Sequence, residues 1–129
     1  MENKYIKRKY LHSELTSQLI GFAYKIFGEL GYGLPERVYQ KSFETLLRKN
    51  QLNYDREKYG VIKFDNVKVG KYFIDFLIDN KIAIEFKVRN EIYQKDISQL
   101  LNYIKSENIK VGLVIAVSKE GIKIKRLVN

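Results

Sequence analysis

Apolar residues recur every three to four positions in two stretches near the beginning of the chain, which is the spacing of one face of a helix. The first stretch begins at Ser13, a suitable N-cap, and ends at Gly31. The second begins at Pro35, which suits the first position of a helix, and ends near Asn50. The predicted apolar faces are Leu15, Leu19, Phe22, Ile26 and Leu30 in the first helix and Tyr39, Phe43, Leu46 and Leu47 in the second.

After the second helix the period changes to two, which is typical of strands. We assign the polar residues 53–58 to a connection and predict strands over residues 59–64, 72–78 and 82–88. Short turns rich in Gly, Asp and Asn separate these strands, which favours an antiparallel meander. A third helix is then predicted, with an apolar face of Ile97, Leu100, Leu101 and Ile104.

The last part of the chain predicts two more strands. Residues 111–117 are almost continuously apolar, as in a strand buried on both faces, and residues 121–126 alternate as in an edge strand. The predicted order is therefore α-α-β-β-β-α-β-β, an α/β (α+β) fold with a mixed sheet flanked by helices. We expect residues 1–12 to form a basic N-terminal arm and residues 13–129 to form a single domain.

Composition narrows the chemistry that this domain could perform. The 129 residues include 24 Lys and Arg against 15 Asp and Glu, a net charge of +9, which favours a polyanionic partner, nucleic acid first and an anionic membrane second. A soluble protein with a lysine-rich surface would have the same composition. The absence of cysteine and the single histidine, His12, exclude a disulfide scaffold and the usual zinc sites. A metal would need oxygen ligands, which favours Mg²⁺ or Mn²⁺.

No segment of the sequence predicts export or membrane insertion. The N-terminal residues lack the apolar core of a signal peptide, and no apolar run approaches the length of a membrane span. We therefore expect a cytoplasmic protein without a membrane partner.

Two of the predicted strands carry the candidate chemistry. Asp75 is the only polar residue in its strand, and Glu85 and Lys87 share a face of the next strand. A three-residue loop at 79–81 would align the apolar faces of these strands and place Asp75 beside Glu85. Two adjacent carboxylates repel unless a cation lies between them. The alternative is a structural ion pair between Asp75 and Lys87, with Glu85 in solvent.

The order of these motifs resembles the PD-(D/E)XK nuclease superfamily, with Asp75 followed by Glu85-Phe86-Lys87 on the next strand. The segment Gly33-Leu34-Pro35-Glu36-Arg37-Val38-Tyr39 reads G-x-x-E-x-x-Y, and the sequence resembles the GxxExxY family within that superfamily. The resemblance implies a restriction-endonuclease-like core.

The resemblance also implies roles for individual residues. Asp75 and Glu85 would be ligands of Mg²⁺ or Mn²⁺, Lys87 would be the catalytic lysine, and Glu36 would be an additional metal-binding acid. Gln99, in a Q-x-x-x-Y motif like that of RecB-like nucleases, would lie near the active site. Glu36 could instead be favoured only by the helix dipole. Tyr39 and Tyr103 are interpreted as packing residues.

These observations give two hypotheses for function. The first is a divalent-metal-dependent nuclease that hydrolyses phosphodiester bonds, with DNA as the favoured substrate. The alternative is a catalytically weak or inactive nuclease-fold module that binds nucleic acid. A homodimer is a candidate assembly by analogy with small nucleases of this fold. The sequence leaves open DNA against RNA, single strand against duplex, and endonuclease against exonuclease action.

Overall fold

A computed structural model of the chain describes residues 11–129. The N-terminal arm predicted for residues 1–12 lies outside the described residues except at its last two positions. The elements within the described range are α1 (Ser13–Leu30), α2 (Glu36–Lys49), β1 (Tyr54–Phe64), β2 (Val67–Ile78), β3 (Ile82–Val88), α3 (Gln94–Ser106), β4 (Val111–Ser118) and β5 (Gly121–Val128).

The five strands form one mixed sheet with the spatial order β1-β2-β3-β4-β5. Strands β3 and β4 are parallel and are connected through α3, whereas every other neighbouring pair is antiparallel. All eight residues of β4 are buried, and β5 lies at a sheet edge. The predicted α/β fold, with an antiparallel meander and a buried parallel strand, is therefore confirmed.

The sheet separates two hydrophobic clusters. Helices α1 and α2 cover one face, where Phe43 of α2 contacts three other aromatic rings at centroid distances of 5.0, 5.2 and 5.9 Å: Phe86, Phe76 and Phe22. Helix α3 covers the other face, where Leu100 and Ile104 pack against β4 and its neighbours. Within residues 11–129, no helix combines the length and the apolar character needed to cross a membrane.

Strand β1 begins at Tyr54, so the assignment of residues 53–58 to a connection is wrong. Polar residues can form this part of the strand because α2 supplies partners for them. Arg56 donates to Glu44 at 3.2 Å and to Gln40 at 2.9 Å, and its guanidinium lies 5.5 Å from the ring centroid of Phe76. The inward-facing positions in this part of β1 are therefore occupied by paired polar groups. The sequence shows no hydrophobic alternation there as a result.

Strand β2 also begins earlier than predicted, at Val67. Its pairing with β1 extends to that residue, whereas its pairing with β3 stops at Phe76. The turn at Asp65 and Asn66, with φ of 50° and 63°, is a two-residue turn of the kind that closes hairpins. The outer part of the β1–β2 hairpin therefore extends as a two-stranded ribbon with largely exposed side chains.

At Asp75, the apolar side chains of β2 switch from one face of the sheet to the other. Tyr72 and Ile74 pack in the cluster beneath α3, whereas Phe76 and Ile78 pack in the cluster beneath α1 and α2. The ladder with β1 lacks the pair at Asp75, and the residue on β1 at that level, Glu57, has φ of 53°. The even-numbered apolar residues of β2 therefore belong to the α1–α2 face only after Asp75.

Two helix starts differ by one residue from the prediction. Ser13 is the first residue of α1, preceded by His12 in a left-handed conformation, and Pro35 is the N-cap of α2. Proline at the N-cap leaves Glu36 as the first helical residue, with its carboxylate near the positive end of the helix dipole.

Candidate active site

Strands β2 and β3 separate from each other at Asp75 and Glu85. The three-residue loop 79–81 produces the predicted register, in which Leu77 stands opposite Ala83 and Phe76 opposite Ile84, but the ladder ends at that last pair. Beyond it, side chains replace the backbone hydrogen bonds. Oδ2 of Asp75 accepts a hydrogen bond from the Phe86 amide at 2.7 Å, and Oε1 of Glu85 accepts one from the Asp75 amide at 3.2 Å. The predicted proximity of the two carboxyls is therefore present in the structure.

This pair of carboxyls is shielded from water. Glu85 retains only 7% of its accessible surface, and Asp75 is partly buried. Burial, followed by the charge of Asp75, raises the pKa of Glu85 to about 8. Burial likewise raises the pKa of Asp75, against the backbone hydrogen bond from Phe86 and the charge of Lys87. The ionised pair is therefore unfavourable until a cation approaches it.

Among the described residues, neither carboxylate forms an ion pair with a basic side chain. The alternative of a structural Asp75–Lys87 ion pair with a solvated Glu85 is thus not what the structure contains. Lys87 is half-buried and close enough for its charge to lower the pKa of both acids. Its position leaves the ammonium group available to a negatively charged ligand.

Lys87 and Gln99 line a cavity of about 280 Å³. Three further residues line this cavity: Arg89, Lys95 and Asp96. Arg89 forms an ion pair with the buried Asp96, which caps α3 by accepting a hydrogen bond from the Tyr93 amide at 2.9 Å. The sequence patterns pointed to none of these three residues, although the alternation of Lys87 with Arg89 past the end of β3 was a signal for Arg89.

Glu36 approaches the same site from the start of α2. Its pKa is raised by partial desolvation and then by the charge of Asp75, which places the two acids within electrostatic reach of each other. Its exposed side chain does not share the hydrogen bonds of Asp75 and Glu85.

The G-x-x-E-x-x-Y segment has a structural explanation in the connection between α1 and α2. Gly33 has φ of 109°, which disfavours other residues, and Tyr39 is fully buried. The Tyr39 hydroxyl donates to the Gly31 carbonyl at 2.6 Å and accepts from the Leu34 amide at 3.2 Å. The motif therefore fixes the loop that presents Glu36, and the interpretation of Tyr39 as a packing residue agrees with its burial.

The Q-x-x-x-Y residues lie on the flank of α3 that faces the site. Tyr103 stacks on Tyr72 with ring centroids 4.3 Å apart and an interplanar angle of 12°. Burial and the charge of Glu85 raise the pKa of Tyr103, while its hydrogen bond with Gln99 acts in the opposite direction. Gln99 is therefore held between Tyr103 and the cavity that contains Lys87.

Comparison with known proteins identifies the superfamily of the chain. A family model described as the PD-(D/E)XK nuclease superfamily matches residues 13–127, which is nearly all of the described chain. The chain belongs to the PD-(D/E)XK nuclease superfamily. Members of this superfamily generally hydrolyse phosphodiester bonds, typically with divalent metals.

Among solved structures, the PD-(D/E)XK chain is similar to the crystal structure of SSO0001, with a TM-score of 0.54 and 21% sequence identity. The alignment covers 95% of this chain and 61% of that one, so the chain spans less than two thirds of the length of SSO0001. This similarity concerns the fold. No curated protein in the comparison matches the sequence.

The donor atoms of this PD-(D/E)XK site suit a hard divalent cation. Two adjacent carboxyls with raised pKa values and no basic partner would be stabilised in their ionised form by Mg²⁺ or Mn²⁺. Within residues 11–129, however, no three acidic or histidine side chains converge as a ready-made metal site. Asp75 and Glu85 would therefore supply two ligands, and the remaining positions would be filled by Glu36, a backbone carbonyl or water.

Proposed function

We propose that this chain is a divalent-metal-dependent nuclease of the GxxExxY type that hydrolyses phosphodiester bonds in DNA. The observation that carries the proposal is the pair Asp75 and Glu85, which is shielded from water, joined by reciprocal hydrogen bonds to the two strands and without a basic partner among the described residues. Such a pair is costly for a fold to maintain unless a cation and an anionic substrate use it.

Asp75 and Glu85 would hold Mg²⁺ or Mn²⁺, with Glu36 as the additional acid. A bound divalent ion at this position would supply electrostatic stabilisation of the phosphate and a more acidic water molecule. The protein itself keeps the site rigid, because the Phe86 and Asp75 amides fix one oxygen of each carboxylate. The remaining oxygens of the two carboxyls would be the ones that meet a bound cation.

Lys87 would act on the substrate rather than on the acids. Its ammonium lies in the same cavity as Arg89, Lys95 and Gln99, and this cavity is large enough for a phosphodiester group. Lys87 would orient the attacking water or stabilise negative charge on the phosphate. Arg89 and Lys95 would hold the nucleic acid backbone without reading bases, which suits a protein with a net charge of +9.

The test is cleavage of end-labelled DNA by the parent chain and by Asp75→Asn, Glu85→Gln and Lys87→Ala in Mg²⁺ or Mn²⁺. Each substitution should lower the rate at least about 100-fold, because each removes a charge that acts on the reacting phosphate. The matched control is Asp79→Asn, an exposed residue of the β2–β3 turn whose φ of 51° suits asparagine, and it should cleave at the parent rate. Cleavage by Asp75→Asn at the parent rate would refute the proposal. An RNA oligonucleotide of the same sequence tests the preference for DNA, and the parent should cleave it more slowly.

One observation favours the second candidate, a nuclease-fold module that binds nucleic acid without efficient cleavage. The acids of residues 11–129 do not converge as a set of three, and Glu36 stays outside the hydrogen bonds of the pair. Thermal denaturation with and without Mg²⁺ or Mn²⁺ separates the two candidates. At about 100 times the dissociation constant, a bound metal stabilises the folded parent by about 2.7 kcal/mol. The parent should show this shift and Asp75→Asn should not, whereas equal shifts in both proteins would favour the binding module.

A further inference from the structure

The outer part of the β1–β2 hairpin has an exposed aromatic face that the proposed catalytic chemistry does not use. On β2, the residues that alternate with the buried Tyr72 point away from α3, and they stand opposite exposed residues of β1. We call this surface the ribbon face, and its members are Tyr59, Phe64, Val67, Val69 and Phe73, with exposures from 44% to 70%.

The ribbon face begins close to Asp75 along β2, on the side of the sheet that points away from α3. Phe73 precedes Asp75 by two residues, which is about 7 Å along a strand. Phe73 stands opposite Tyr59, and their rings contact each other with centroids 5.4 Å apart. This aromatic pair therefore lies where a strand of nucleic acid leaving Asp75 along the hairpin would pass.

Lysines surround the ribbon face. Residues 58–73 contain four lysines and one acid, Asp65. Lys68 donates a hydrogen bond to the Tyr59 hydroxyl at 2.8 Å, and its ammonium lies 5.5 Å from the centroid of that ring. Aromatic faces interleaved with cations are what bases and phosphates of an unpaired strand require.

The same charges disfavour a second copy of the chain as the occupant. Two ribbons with excess positive charge would repel each other, and lysines on exposed strands are a common protection against pairing between sheets. Within residues 11–129, β2 pairs with β3 only from Phe76 to Ile78, so the ribbon has no neighbouring strand on either side. The complementary partner is a polyanion that also offers flat apolar surfaces.

We propose that the ribbon face binds unpaired nucleotides, whose bases stack on Tyr59 and Phe73 while the neighbouring lysines contact the phosphates. The inference rests on the proposed function, because it makes the ribbon the part of the nuclease that selects single-stranded DNA or the unpaired region of a branched substrate. A closed duplex offers its bases to this surface only at its ends, so it should bind less tightly.

The experiment measures fluorescence anisotropy of a labelled oligothymidylate and of a duplex of equal length, with EDTA present to prevent cleavage. The parent should prefer the single strand. Phe73→Ala and Tyr59→Ala should each weaken single-strand binding about 10-fold, because each removes a stacking surface. Both side chains are exposed, so circular dichroism should report a folded protein for each variant.

The matched control is Tyr24→Ala, which removes a tyrosine with 55% exposure on α1 and should leave binding unchanged. Single-strand binding that is insensitive to Phe73→Ala, or equal affinity for the duplex, would overturn the inference. A change from dimer to monomer on Phe73→Ala in sedimentation would also overturn it, in favour of a second copy of the chain.

Failure of this inference and failure of the proposed function give different results. Binding that depends on Phe73 without any cleavage by the parent would refute the nuclease proposal and leave the ribbon assignment intact. Cleavage that requires Asp75, together with single-strand binding that is unchanged by Phe73→Ala, would support the nuclease proposal and refute the ribbon assignment.

Discussion

The substitution Glu85→Gln should stabilise the metal-free protein at alkaline pH. Burial and the charge of Asp75 raise the pKa of Glu85 from 4.5 to about 8, so the folded chain keeps a proton there that the unfolded chain has already released. Between those two pH values the parent therefore loses stability as the pH rises. Glutamine mimics the protonated acid, because its carbonyl can still accept from the Asp75 amide and its amino group can donate to the Asp75 carboxylate.

The size of the effect follows from the pKa interval. At about 1.4 kcal/mol per pH unit, an interval from 4.5 to about 8 sets an upper bound of about 5 kcal/mol on the stability that the parent loses. Asp75 shares the proton with Glu85 and takes up part of the charge, so we expect about 2 kcal/mol or more. The variant should therefore be close to the parent near pH 5 and clearly more stable near pH 9.

The assay is urea denaturation of both proteins in EDTA across this pH range. The difference between parent and variant reports the coupled pair Asp75 and Glu85, because the remaining titrating groups are common to both proteins. Glu91→Gln is the control, since Glu91 lies on the surface beside Lys123, and its difference from the parent should stay within about 0.5 kcal/mol at every pH. A difference for Glu85→Gln that does not grow with pH would refute the reasoning, because it would mean that both carboxyls are ionised and well solvated.

Further predictions concern packing around the site, and urea denaturation tests each of them. Gly60→Ala should destabilise the fold by about 1–3 kcal/mol, because its Cβ would lie 2.0 Å from Cζ of the buried Tyr72; a neutral effect would mean that the Tyr72 stack on α3 yields easily. Gly21→Ala, in the interior of α1 where the new Cβ meets no side chain of another element of residues 11–129 within 4 Å, should instead stabilise the fold by about 0.5–1 kcal/mol. Phe43→Ala should cost about 3–5 kcal/mol, since its ring contacts three other aromatic rings, and a loss below about 1 kcal/mol would contradict the central place of that ring.

Local patterns predicted the fold well where burial is apolar and regular. The helix faces around Leu19 and Phe43, the continuously buried β4 and the edge strand β5 all follow from the periodicity. The register of β2 and β3 also followed, because only an odd loop aligns their apolar residues, and this placed Asp75 beside Glu85. The prediction needed no tertiary information, since the hairpin is a local structure.

Periodicity gave no signal where polar pairs or exposed strands replace apolar burial. The first half of β1 is held by the contacts of Arg56 with Glu44 and Gln40, which belong to the preceding helix and meet Arg56 only once that helix packs on the sheet. Within the part of the chain that the structure describes, the ribbon strands pair only with each other, so they lack an alternation of buried and exposed positions. The change of face at Asp75 depends on Glu57 in the neighbouring strand, and its φ of 53° is not readable from the sequence of β2.

The sequence by itself determined the order of elements, the nature of the acids and the excess of positive charge, because these depend on residue identity and local spacing. The tertiary structure decided that β2 and β3 separate at Asp75, that Glu36 approaches from a helix without joining the pair, and that Lys87 shares a cavity with Arg89. It also placed an aromatic ribbon beside the acids. These features depend on how distant segments pack against one another, and such packing is fixed only when the whole chain is folded.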